Sequence, residues 1–212
     1  SDVYKRKYEN NIASGELVRE DFNLEIDGGT ASLVNSTPDL IEFDTDSYIL
    51  FFSTEGITTG SEKLTVNINA NSIFDSAGNT AETIQASATI YLFDVDAPRI
   101  IEGEVINNTT LSITLNELAY LSDQSSISSE DLSLSLTTGT ATLANLNPET
   151  LTQDGTNLIL TFTIEGLISE NQKLLIQLLN PIQDVFGNIT SSFDENNTFE
   201  FIPDSDQDGI VD

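Results

Sequence analysis

Apolar residues recur at every second position over several short stretches of this chain. Leu111, Ile113 and Leu115 form one run and Leu132, Leu134 and Leu136 another. Leu158, Leu160, Phe162 and Ile164 form a third, and Leu174, Ile176 and Leu178 a fourth. A period of two places one face of an extended strand on a core and the other in water. Fainter runs come earlier: Leu24 and Ile26; Tyr48, Leu50 and Phe52; Leu64, Val66 and Ile68; Ala88, Ile90 and Leu92. No stretch of convincing length has helical spacing. Short alternating strands separated by Gly, Asn, Asp and Ser turns predict a sandwich of two antiparallel sheets for every ~100 residues.

The early runs and the late ones belong to one repeated pattern. Glu20-Asp21-Phe22-Asn23-Leu24 aligns with Glu130-Asp131-Leu132-Ser133-Leu134, an offset of 110 positions. The same offset carries Gly29-Thr30-Ala31 onto Gly139-Thr140-Ala141, Pro38 onto Pro148, Glu55-Gly56 onto Glu165-Gly166 and Lys63-Leu64 onto Lys173-Leu174. After one deletion, Asp75, Gly78 and Asn79 match Asp184, Gly187 and Asn188. Internal similarity of this kind predicts two copies of one domain. The second copy opens with two strands, expected over 99–106 and 111–115, before its Glu130. Val3-Tyr4 of the first copy aligns with Ala119-Tyr120, which lies after both. The first copy is therefore expected to lack two strands, and the missing partner is expected from upstream repeats of the same polypeptide or from a neighbouring subunit.

Composition narrows the chemistry. The chain of 212 residues has no Cys, His or Met, which excludes thiolate nucleophiles, Ser-His-Asp catalysis and the usual zinc sites. The missing initiator Met leads to the expectation of a mature piece of a longer precursor. Thirty-five Asp plus Glu against seven Lys plus Arg give a formal net charge of −28, which repels nucleic acid and anionic membranes and attracts hard cations. No spacing of acids marks a catalytic pair, so the expectation is a protein that is not an enzyme.

Three acidic elements are candidate Ca²⁺ ligands. Asp75 and Asp184 each open an Asp-x-x-Gly-Asn loop, which reads either as a turn built by the carboxylate or as a cation ligand before the last strand. Asp94 and Asp96, with Pro98, lie where one copy gives way to the next. A sandwich places the loop before its last strand at the end where the chain enters, so Asp184 is expected to approach Asp94 and Asp96. The third element is Asp204, Asp206 and Asp208 with Gly209 and Asp212, spaced as carboxylates are in calcium loops.

The string from Glu20 to Leu33, the segment Gly60-Ser-Glu-Lys-Leu-Thr-Val-Asn67 and the segment Ile73 to Ala81 resemble the tandem bacterial immunoglobulin-like repeats of large secreted adhesins. The end of the chain resembles the opening of a thrombospondin type 3 repeat, and Asp94 to Pro98 resembles the acidic linkers of cadherins. Asp75-Ser76-Ala77 resembles the acceptor for O-glycans in proteins of type IX-exporting bacteria, which implies Ser76 as a modification site.

The resemblance implies two tandem immunoglobulin-like β-sandwich domains, 1–93 and 94–203, the first lacking its N-terminal strands. A calcium-binding tail begins at 204–212. It implies a stalk or adhesion module on the bacterial cell surface, with Ca²⁺ as its cofactor and a surface glycan or protein as its ligand. A filament subunit assembled by strand exchange and a glycan-binding module are the alternatives.

Overall fold

A computed structural model shows an all-β chain; it describes residues 7–9, 12–14, 16–44, 47–75, 77–81, 90–169 and 171–201. The chain divides into two compact units, Ser1–Asp96 and Ala97–Asp212.

The first unit contains β1 (Lys7–Glu9), β2 (Ile12–Ser14), β3 (Phe22–Asp27), β4 (Ser32–Leu33), β5 (Leu40–Asp44), β6 (Ser47–Phe51), β7 (Thr54–Glu55), β8 (Lys63–Ile68) and β9 (Ile90–Tyr91). The second contains β10 (Ile100–Asn107), β11 (Thr110–Leu115), β12 (Tyr120–Leu121), β13 (Leu132–Leu136), β14 (Thr142–Leu143), β15 (Thr150–Asp154) and β16 (Asn157–Thr161). It continues with β17 (Ile164–Glu165), β18 (Lys173–Leu178), β19 (Ile182–Gln183), β20 (Ile189–Thr190) and β21 (Thr198–Glu200). The strands expected at 99–106 and 111–115 are β10 and β11.

Pairing repeats from unit to unit. The order β3-β8-β9 in the first corresponds to β13-β18-β21 in the second, β4-β7 to β14-β17, and β5-β6 to β15-β16. The register is preserved as well. Leu24 faces Val66 as Leu134 faces Ile176, and Lys63 faces Tyr91 as Lys173 faces Glu200. All these pairs are antiparallel. The alternation of the sequence becomes two faces, one turned to the core and one to solvent.

The second unit is a closed sandwich. Its larger sheet runs β10-β11-β16-β15, so β16 has a strand on each side. Leu111, Ile113 and Leu115 from β11, with Leu158 and Leu160 from β16, meet Leu132, Leu134, Leu174, Ile176 and Phe199 of the opposite sheet in a single buried cluster. Gly103 on β10 permits this closure. A Cβ there would lie 2.3 Å from the Phe199 ring and 2.9 Å from Ile113.

The first unit shares these pairings and adds the hairpin β1-β2, but among its described residues no strand takes the place that β11 holds beside β16. Among the described residues, β5 is the only strand paired with β6. Its buried apolar side chains among the described residues are Phe22, Leu24, Ala31, Leu64 and Ile73, with Pro38 beside them in burial. Tyr48, Leu50 and Phe52 occupy the positions of Leu158, Leu160 and Phe162 yet are only half-buried. Ile90 is 48% exposed where its counterpart Phe199 is 6% exposed. The three β11 side chains that cover this core in the second unit contribute ~1.5–3 kcal/mol each, about 5–9 kcal/mol together. That is comparable with the net stability of a whole domain, ~5–15 kcal/mol.

Candidate functional site

The repeated acidic loops are turns held by their own carboxylates. In the second unit Asp184 Oδ1 accepts the N–H groups of Phe186 at 2.8 Å and Asn188 at 2.9 Å, while Oδ2 accepts Asn188 Nδ2 at 2.8 Å. Asp75 in the first unit does the same with Ala77 at 2.9 Å, Asn79 at 2.8 Å and Asn79 Nδ2 at 2.7 Å. Gly78 and Gly187 sit at φ of +87° and +89°, a left-handed conformation that explains glycine at both places. The Asn79 side chain, followed by its backbone N–H, holds the Asp75 carboxyl below its usual range. Between the two readings of this element, the turn accounts for both oxygens of each Asp.

Asp184 nevertheless has an acidic neighbour. It is fully buried, and one carboxylate oxygen lies within 4.8 Å of one from Glu117. Glu117 is placed by Asn116, whose Nδ2 donates to Glu117 Oε1 at 3.2 Å and whose Oδ1 accepts the Arg99 N–H at 2.7 Å. The entering chain is tied to the same region, because the Thr190 hydroxyl donates to the Pro98 carbonyl. The two carboxylates form an all-oxygen donor set of the chemistry that Ca²⁺ takes, and Oδ2 of Asp184 carries a single hydrogen bond among those described, leaving it lone-pair capacity. Sequence spacing did not single out Glu117, since it follows β11 without any motif around it.

The other linker acids belong to the first unit. Asp94 Oδ1 accepts the Asp96 N–H at 2.9 Å, a local turn, and Asp96 is buried. The segment is fastened by the Val95 N–H to the Thr58 carbonyl at 2.9 Å and by the Thr58 hydroxyl to the Phe93 carbonyl at 2.6 Å. Ser76, Asp204, Asp206, Asp208 and Asp212 lie outside the described residues, as do Val3 and Tyr4.

A second set of repeated residues, Asp21 and Asp131, closes local turns. Asp21 Oδ2 accepts the Val18 N–H at 2.8 Å and Asp131 Oδ2 the Ser128 N–H at 2.8 Å, each closing the one-turn helix before β3 or β13. Burial works to raise the Asp131 carboxyl, but the Ser128 hydroxyl and N–H and the Asn180 amide outweigh it and lower the value.

The Gly-Thr-Ala string surrounds a buried polar side chain: Glu62 in the first unit and Gln172 in the second. Glu62 accepts N–H groups from Thr30 at 2.8 Å, Ala31 at 3.1 Å and Thr59 at 2.9 Å. Burial alone would raise its pKa; the N–H groups of Ala31, Thr30 and Thr59 together overcome that and bring it down to about 2. Gln172 accepts from Ala141 at 3.3 Å and Ser169 at 3.1 Å, and its amide donates to the carbonyls of Thr137 and Ala141. The glycines give these side chains room, since a Cβ at Gly29 or Gly139 would lie 2.0 Å or 2.3 Å from them.

Compared with protein-family profiles, curated proteins and solved structures, the chain shows no significant match to any of them.

Proposed function

We propose that this chain is a non-catalytic stalk or adhesion module of a large secreted bacterial surface protein, composed of immunoglobulin-like repeats and stiffened by Ca²⁺. The observation that supports it is the duplication itself. The same strands in the same register recur in tandem, and the polar residues preserved between the copies build turns and caps. A module repeated for its shape suits a spacer. The net charge of −28 keeps such a spacer soluble and draws divalent cations to it.

Ca²⁺ enters this reading through Asp184 and Glu117 of the second unit, and the linker acids Asp94 and Asp96 are proposed as ligands from their acidic spacing in the sequence. The residues of the tail, Asp204, Asp206, Asp208 and Asp212, are a separate calcium element in the same proposal, and Ser76 is its glycan acceptor. The test is the distance distribution between spin labels placed one in each unit, recorded with millimolar Ca²⁺ and with excess chelator. A narrower distribution in Ca²⁺ that disappears in the Asp94→Asn, Asp96→Asn variant supports the reading. Identical distributions in both conditions remove calcium from it.

The incomplete edge of β6 favours one further reading, a filament subunit assembled by strand exchange between chains. Sedimentation that depends on protein concentration would support that alternative.

A further inference from the structure

We propose that the edge of β6 turned away from β5 is an acceptor for an antiparallel β-hairpin of the β10–β11 pattern, carried by polypeptide that precedes this repeat. The proposal rests on the tandem-repeat reading and on neither calcium nor adhesion, so it stands or falls separately from them.

The second unit supplies the template. There β11 covers the corresponding edge of β16, with Leu111 opposite Leu160 and Ile113 opposite Leu158. Carried to the first unit, this register sets apolar residues of the incoming strand opposite Leu50 and Tyr48. Both are half-buried on the face that Leu160 and Leu158 bury completely. Phe43, across from Tyr48 on the same face, is 59% exposed, and the two rings lie 5.0 Å apart. A second strand equivalent to β10 would lie over Ile90, as Gly103 lies over Phe199.

Backbone direction identifies the groups that the hairpin would engage. The Asp39 N–H donates to the Phe51 carbonyl, just as the Glu149 N–H donates to the Thr161 carbonyl. In an antiparallel strand the N–H and C=O of one residue point to the same side, and successive residues alternate. Phe51 and Ile49 therefore face β5, while Leu50, Tyr48 and Phe52 face the open edge. The second unit agrees, because the Phe162 N–H donates to the Thr109 carbonyl at the start of β11. Among the described residues no strand pairs with this edge, and an edge with partly exposed apolar side chains and no neighbouring strand is a template for strand addition.

The source follows from chain order. In the second unit the hairpin immediately precedes the strands it completes, so the equivalent hairpin for the first unit belongs upstream. A second copy of the chain is a poorer source. Withdrawing β10–β11 from it would expose Leu111, Ile113 and Leu115 and open the same edge there.

The test uses the full chain and a synthetic peptide of residues 99–116, read by amide hydrogen exchange. Exchange at Tyr48, Leu50 and Phe52 slows by about tenfold or more with peptide, while Ile49 and Phe51 change little. A peptide carrying Leu111→Asp and Ile113→Asp has no such effect. Joining residues 99–116 ahead of Ser1 through a flexible linker raises the unfolding midpoint of the first unit. The proposal is overturned if the three amides are already protected in the chain alone, at any protein concentration. It also fails if neither peptide nor fusion alters them. Protection that appears with rising protein concentration and no peptide assigns the edge to a second copy instead.

Discussion

The two units share most of their strand pairings, yet the described residues of one bury its core while those of the other leave theirs partly exposed. In the second unit, β16 lies between β11 and β15 and its inward residues are fully buried. In the first, the equivalent β6 pairs with β5 alone among the described residues, and Tyr48, Leu50 and Phe52 are partly exposed. The side chains at these positions are of similar apolar character in both. What differs is the neighbouring hairpin, so burial here is a property of the completed sheet and not of the strand's own sequence.

The largest expected consequence is in stability. The chain should unfold in two steps, the first unit well before the second, with a gap on the order of the 5–9 kcal/mol that the β11 side chains supply. Denaturant titration followed by amide signals from each unit measures it. A single coincident transition would break the contrast.

Matched truncations sharpen it. Leu160→Ala should cost about 2–5 kcal/mol in the second unit, the usual range for a fully buried leucine. Leu50→Ala, at the same place in the first unit, should cost about 1–2 kcal/mol because much of that side chain already meets water. Equal losses measured by denaturant unfolding would mean that Leu50 is buried in solution.

Glu62 and Gln172 provide a contrast in pH. The folded-state pKa of Glu62 lies below its ordinary 4.5, at about 2, so its contribution is complete above pH 4.5 and is lost as pH falls toward 2. That contribution is on the order of 3 kcal/mol. Glu62→Gln should flatten this part of the acid profile of the first unit. Gln172→Glu should destabilise the second at neutral pH by about 1–3 kcal/mol, because it turns a carboxylate oxygen toward the Thr137 and Ala141 carbonyls. An unchanged acid profile in Glu62→Gln would show that the carboxylate is not held as described.

The smallest effect should come from the one-turn helix before β13. Asp131→Ala removes the acceptor for the Ser128 N–H and hydroxyl and should cost about 1–2 kcal/mol in thermal or denaturant unfolding of the second unit.

Alternation made β11, β13, β16 and β18 legible in the sequence, because each is covered on one face and their leucines repeat with period two. The repeat offset led to the expectation that the first copy lacks strands corresponding to β10 and β11; among the described residues β6 is paired with β5 alone. Two-residue strands such as β4 and β7 were not legible, since no alternation develops over that length. Glu62 was hidden for a different reason. A charged residue between Ser61 and Lys63 reads as solvent-facing, and only the folded loop from Gly29 to Ala31 brings the N–H groups that permit its burial. Asp21 and Asp131 repeated visibly, but a cap is recognised only when the turn it closes is seen. The acidic candidates divided similarly: spacing located Asp75 and Asp184, whereas Glu117 comes near Asp184 only through the fold.

Amide hydrogen exchange of the full chain without any peptide tests the central contrast most directly. The account predicts that Tyr48 and Leu50 exchange rapidly while Leu158 and Leu160, at the same places in the second unit, are among the slowest amides of the molecule. Comparable slow exchange at both pairs would contradict it, showing that the edge of β6 is closed by the chain itself.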